Sequence, residues 1–141
     1  MLEIEGERIV DAPPERVFDA LTDHDVVASA IPIIRSYREI DDDHWEAKVK
    51  APLPFAPSVT IRFQIVERRP HEHASILSDG RGAHVQSSFD LTPDGDGRTR
   101  VLWRARIELT GLLAPFGGHG LEPLARRAAE RVLDRVAAQA S

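Results

Sequence analysis

The chain has 141 residues, 42% of them hydrophobic and 29% charged, with a formal net charge of −5 and no cysteine. That length suits one globular domain, residues 1–141, large enough for a core and a cavity. The acidic balance argues against a general nucleic-acid binder. The missing cysteines exclude disulfides, thiolate metal sites and thiol nucleophiles, and no apolar run approaches the ~18 residues of a membrane helix.

The opening, MLEIEGERIVD, is acidic and alternating. It reads as a strand rather than a targeting peptide, and a cytoplasmic location is expected. Ile4, Gly6, Arg8 and Val10 share one face of that strand, and Glu3, Glu5 and Glu7 the other. Asp11-Ala12-Pro13-Pro14 stops it, and proline in a first turn favours a short helix from Pro14 to Leu21. Thr22 or Asp23 is the expected N-cap of a second short helix, to about Ala30.

From Ile34 to Leu109 the period is two. Strands are expected at Ile34–Ile40, His44–Ala51, Val59–Ile65 and, more weakly, His73–Ser78. Two more follow, at His84–Leu91 and Arg100–Leu109, set apart by the turn signals Asp79-Gly80-Arg81-Gly82 and Pro93-Asp94-Gly95-Asp96-Gly97. GLLAPFGGHG, residues 111–120, leads into a last amphipathic segment. There Leu121, Leu124, Ala125, Ala128, Ala129, Val132, Leu133 and Val136 form one face of a helix. The apolar arc spans roughly half the circumference, wider than the usual ~100° stripe, so the helix is expected to lie in something concave. The fold class is α+β, an antiparallel sheet wet on one face and covered on the other by one long and two short helices.

This order of elements resembles the helix-grip fold of the START/Bet v 1 (SRPBCC) superfamily. In that fold a curved sheet of about six to seven strands wraps around a long C-terminal helix. Gly6 followed by VDAPPERVFDALTD resembles the usual opening of that superfamily. AIPII (Ala30 to Ile34) and TGLLAPFGGHG (Thr110 to Gly120) resemble motifs of its branch of G-type carbon monoxide dehydrogenase proteins, and polyketide cyclases are close to it. Ile33 stands where that branch usually has glycine, and residues 51–57 are unusually rich in proline. The resemblance implies a cavity between sheet and long helix holding an apolar molecule such as a lipid, quinone or polyketide.

Inward-facing residues then become the expected lining: Trp45, Ile61, Phe63, Val85, Ser87, Phe89, Trp103 and, from the helix, Leu124. Phe55 and Phe116, in loops, are expected at the mouth. Arg8, inward by parity, needs a carboxylate, a rim position or a ligand's polar head, unless a bulge turns it outward. His71-Glu72-His73 could offer two metal ligands but reads as a solvated turn, and no metal or cofactor is expected. Ser87 lacks a nucleophile-elbow setting. Arg126, Arg127 and Arg131 form a solvated flank that could dock weakly on a membrane surface or an acidic protein. A carrier of an apolar molecule is therefore the first expectation. A cyclase/aromatase-like enzyme comes second, because these faces offer no Asp, Glu or His, and an accessory protein of an oxidoreductase such as carbon monoxide dehydrogenase third.

Overall fold

The computed structural model describes residues 1–50, 54–55, 57–118 and 120–141, and Phe116 in its backbone only. Strand β1 (Leu2–Val10) precedes helices α1 (Pro14–Leu21) and α2 (His24–Ala30). Six strands follow: β2 (Ile34–Asp41), β3 (His44–Lys50), β4 (Ser58–Arg69), β5 (His73–Gly80), β6 (Ala83–Pro93) and β7 (Thr99–Leu109). A short 3-10 helix (Gly111–Gly117) leads into α3 (Leu121–Ala140).

All seven strands form one antiparallel sheet in the order β1-β7-β6-β5-β4-β3-β2. The last six are a meander, and β1 closes the order by pairing with β7. Helices α1 and α2 therefore make the connection between the two edge strands, and with α3 they cover the inner face. This is the helix-grip architecture.

Local chemistry explains the boundaries. Pro14 opens α1 at a position where a missing N–H costs nothing. Thr22 closes it, its hydroxyl donating to the Phe18 carbonyl at 2.9 Å. Asp23, one of the two expected caps, accepts from the Asp25 amide at 2.9 Å and starts α2. The β5–β6 turn needs glycine at 82, where φ is +84° and a Cβ would lie 2.6 Å from the Thr110 carbonyl. GLLAPFGGHG is more ordered than a simple bend, since its first seven residues form the 3-10 helix.

The interior has two centres. The larger core joins Val10, Val17, Phe18, Leu21, Val101 and the C-terminal half of α3, where Val132, Leu133, Val136 and Ala140 are buried. The smaller one joins Ala28, Trp45 and Ala47, with Phe63 packed on it. Trp45 and Phe63 are register partners on β3 and β4 and stack at 3.8 Å, nearly parallel. Helix α3 runs four residues past Val136. Its N-terminal half is different in kind: Leu121, Leu124, Ala125, Ala128 and Ala129 are only half-buried. Three of those five are alanines, and Ala125 and Ala129 only partly bury themselves against the edge of the larger core.

Candidate functional site

The space those alanines leave is a cavity of about 310 Å³, between the sheet and the N-terminal half of α3. Its volume is at the lower end of pockets that hold small molecules. Trp45, Ile61, Phe63, Val85, Phe89 and Trp103 line it from the strands, and Leu121, Leu124, Ala125, Ala128 and Ala129 from the helix. Ser87 and Ser78 add hydroxyls to the sheet side. At the α1–α2 end the lining turns polar, with Thr22, Asp23 and His24 beside Val27 and Ile31.

Register builds this lining. Trp103 pairs with Gly6 on β1 and Phe89 on β6, so glycine at 6 gives the indole a place to lie. A Cβ on Gly6 would sit 2.5 Å from the Trp103 ring. The two parts of the sequence that look least alike, a glycine in an acidic strand and a tryptophan among arginines, are one packing unit.

Trp45, Ile61, Phe63, Val85, Ser87, Phe89, Trp103 and Leu124 thus come together on one space. Arg8 does not join them. It faces inward as its parity requires, but at the edge strand, where its guanidinium pairs with Asp134 on α3. A carboxylate on the covering helix satisfies the cation, so a ligand head is not needed there. Phe55 is fully exposed at a positive φ and does not line the cavity. The side chain of Phe116, and His119, lie outside the described residues.

Asp23 and His24 are lining residues that strand periodicity does not reveal. Asp23 caps α2 and His24 is its first residue, and only the tertiary placement of that helix start turns them toward the cavity. His24 Nε2 lies 3.4 Å from Asp25 and 3.7 Å from Glu39, with its side chain 20% exposed. Its ring also neighbours Tyr37 and Trp45. Tyr37 donates to Asp25 at 3.0 Å. That bond, with some burial and the nearby charges of Asp25 and Asp23, pushes the Tyr37 hydroxyl above its ordinary pKa.

Outside the cavity His44, His73 and His84 are each bonded to a carboxylate of the sheet. His73 takes Asp90 at 2.6 Å through Nδ1 and Ser75 at 2.8 Å through Nε2, joining β5 to β6 across the outer face. The order carboxylate, imidazole, hydroxyl resembles a nucleophilic relay. However, β5 is an interior strand paired on both sides, so the amides around Ser75 are engaged in the ladder rather than free for an oxyanion. His71 is turned away at φ +67° and meets Phe18 edge-on. Among the described residues no group of three or more His, Asp or Glu side chains is placed to hold a metal ion.

A broader cleft of about 950 Å³ reaches across the sheet, its charged rim formed by Glu3, Glu5, Arg104, Arg106 and Arg126. Its charges are mutually satisfied: Arg106 pairs with Glu3 at 3.0 Å, Arg104 with Glu5 at 3.5 Å, and Arg126 donates to the Glu5 carbonyl at 3.1 Å. The cleft is a wet ion-pair surface, whereas the smaller cavity is the apolar one. No helix among the described residues is long and apolar enough to cross a membrane.

A family model described as "Polyketide cyclase / dehydrase and lipid transport" matches residues 1–141. No curated protein sequence matches. Among solved structures, a conserved protein from Geobacillus kaustophilus superposes with a TM-score of 0.84 at 20% identity, covering 97% of this chain and 93% of its own. A START superfamily protein from Mycobacterium smegmatis gives 0.72 at 14% identity, over 98% and 96%. The Zhui aromatase/cyclase from Streptomyces sp. R1128 gives 0.70 at 15% identity, over 99% and 93%. At these identities the structural likeness establishes the fold. The matches support the superfamily but not the narrower branch of G-type carbon monoxide dehydrogenase proteins.

Proposed function

The chain belongs to the polyketide cyclase/dehydrase and lipid-transport family, and from that premise we propose that it binds and carries an apolar small molecule between the sheet and α3. The supporting observation is the cavity itself. Its walls are aromatic and aliphatic side chains, and its roof is held open by alanines at 125, 128 and 129. Apolar space of this kind stays open only at a cost in lost packing contacts, and a bound ligand would recover that loss. Native mass spectrometry after gentle purification, followed by solvent extraction, tests it. A co-purifying lipid, quinone or polyketide-like molecule is expected. A protein without ligand, together with a solution structure in which side chains fill the space, would overturn it.

A second reading, a cyclase/aromatase-like enzyme in the same cavity, gains support from His24 and Asp23. These are the ionisable groups of the α1–α2 end of the lining, and an acid–base group is what proton transfer to an enolisable chain requires. Incubation with a poly-β-ketone thioester separates the readings. Turnover abolished in His24→Ala favours the enzyme, and binding without conversion favours the carrier.

A further inference from the structure

Hydroxyls facing the interior of this protein fall into two groups. Thr99 is completely buried and donates to the Ala12 carbonyl at 2.7 Å. Thr22, at the polar end of the cavity, donates to Phe18. Ser78 and Ser87 differ, because neither hydroxyl has a hydrogen-bond partner among the described residues.

Ser78 is 7% exposed, and it is one of two buried polar residues in the chain's described part, the other being the satisfied Thr99. No sealed side-chain oxygen or nitrogen among the described residues lacks a partner. The Ser78 hydroxyl is therefore open to space, and the space it lines is the cavity. Its register partners are Phe63 on β4 and Val85 on β6, and those of Ser87 are Ile76 on β5 and Ala105 on β7. Both hydroxyls thus stand among apolar neighbours, where an unmade hydrogen bond is costly and a made one is strengthened by low polarity.

Ser78 pairs with Val85, and Ser87 with Ile76, so the two serines are diagonal neighbours on adjacent strands. That places their backbones roughly 7–8 Å apart, with side chains on one face. Both hydroxyls can reach one oxygen, or two oxygens held close together on a ring.

We infer that Ser78 and Ser87 form a paired hydroxyl contact for oxygen on the cavity's ligand, selecting a hydroxylated or carbonyl-bearing ring system over a hydrocarbon of the same shape. The inference rests on the cavity being a binding site. It adds that the apolar walls supply affinity, while two serines in the middle of the floor supply the choice. A site for a plain alkyl chain would be better served by an apolar residue such as valine at these positions, which strands favour.

The experiment uses two probes of nearly equal size, 2-naphthol and 2-methylnaphthalene. Each is titrated by calorimetry into the full chain, into Ser78→Ala, and into Ser78→Ala/Ser87→Ala. Loss of a hydrogen bond of ordinary strength is expected to weaken 2-naphthol about tenfold. The affinity for 2-methylnaphthalene should be unchanged or improved. The thermal midpoint of each unliganded variant should hold or rise, because an unsatisfied hydroxyl has been removed. Equal weakening of both probes, or none, would overturn the hydroxyl assignment while leaving the cavity a binding site. Failure of both probes to bind the unmodified protein would overturn the cavity reading and the assignment with it. A lowered midpoint in Ser78→Ala would show that Ser78 is structurally bonded, which also overturns it.

Discussion

Single residues in this protein are explained by what stands opposite them in the sheet. Gly6 is required because the Trp103 indole occupies the volume of its missing side chain. Gly6→Ala is expected to cost about 1–3 kcal/mol, as overpacking does, and to push the indole toward the cavity. A lower denaturant midpoint, with shifted tryptophan emission that Trp103→Phe partly reverses, would show this. An unchanged midpoint would contradict it. Arg8 and Asp134 are a half-exposed pair, 35% and 64% accessible in their side chains. Arg8→Ala should therefore change stability by less than about 1 kcal/mol and leave ligand affinity unaltered. A large drop in affinity would restore Arg8 as a ligand contact. Asp41 is held below the usual carboxylate value chiefly by its hydrogen bond to His44, helped by the Asp43 amide. The stability it contributes is present above the unfolded carboxylate value of ~3.9 and is lost as pH falls through its lowered folded value. In an NMR titration, His44→Ala should move the Asp41 midpoint back up, and an unmoved midpoint would rule out the imidazole as the cause.

Elements divide their work along their length, and α3 shows it most clearly. Its C-terminal half is core: Leu133 is 1% exposed, and Leu133→Ala should cost about 2–5 kcal/mol. Its N-terminal half roofs the cavity, and substitutions there should act on binding first. Much of this architecture is legible in the chain. The strict alternation of Val59, Ile61, Phe63 and Ile65 identifies β4 and its inward face, and Pro13-Pro14 and Asp23 mark the starts of the two short helices. The wide apolar arc of α3 shows that it lies in a concavity. It does not show that the concavity is full at one end and open at the other, because that depends on how far alanines stand from a sheet distant in sequence. Ser78 is not legible as a lining residue because β5 is weakly patterned, and its last two residues, Asp79 and Gly80, carry a turn signal. Asp23 and His24 escape notice as lining residues because helical periodicity says nothing about which way the start of a short helix faces.

At the scale of the whole molecule, the fold is a sheet that closes on one helix without closing completely. The larger core, around Val10, Val17, Leu21, Val101 and Leu133, holds most of the buried side chains. The cavity is bounded by members of both clusters, Leu21, Trp103 and Val132 from the larger and Trp45 from the smaller. Binding to the folded state should then raise the thermal midpoint with ligand concentration, by about 2.7 kcal/mol of added stability at a hundredfold excess over Kd. Arg126, spent on the Glu5 carbonyl and on Glu122, is not free for an accessory protein, which weakens the case for docking as the main role of the helix.

In the proposed carrier, α3 roofs a ligand site at Leu124 and is packed core at Leu133. Measuring the affinity for 2-naphthol and the thermal midpoint of Leu124→Trp beside the unmodified protein tests it most directly. A cavity filled by the indole should lower affinity at least tenfold while the midpoint stays within a few degrees. Undiminished affinity, or a variant that no longer folds, would contradict it and leave the helix as core from end to end.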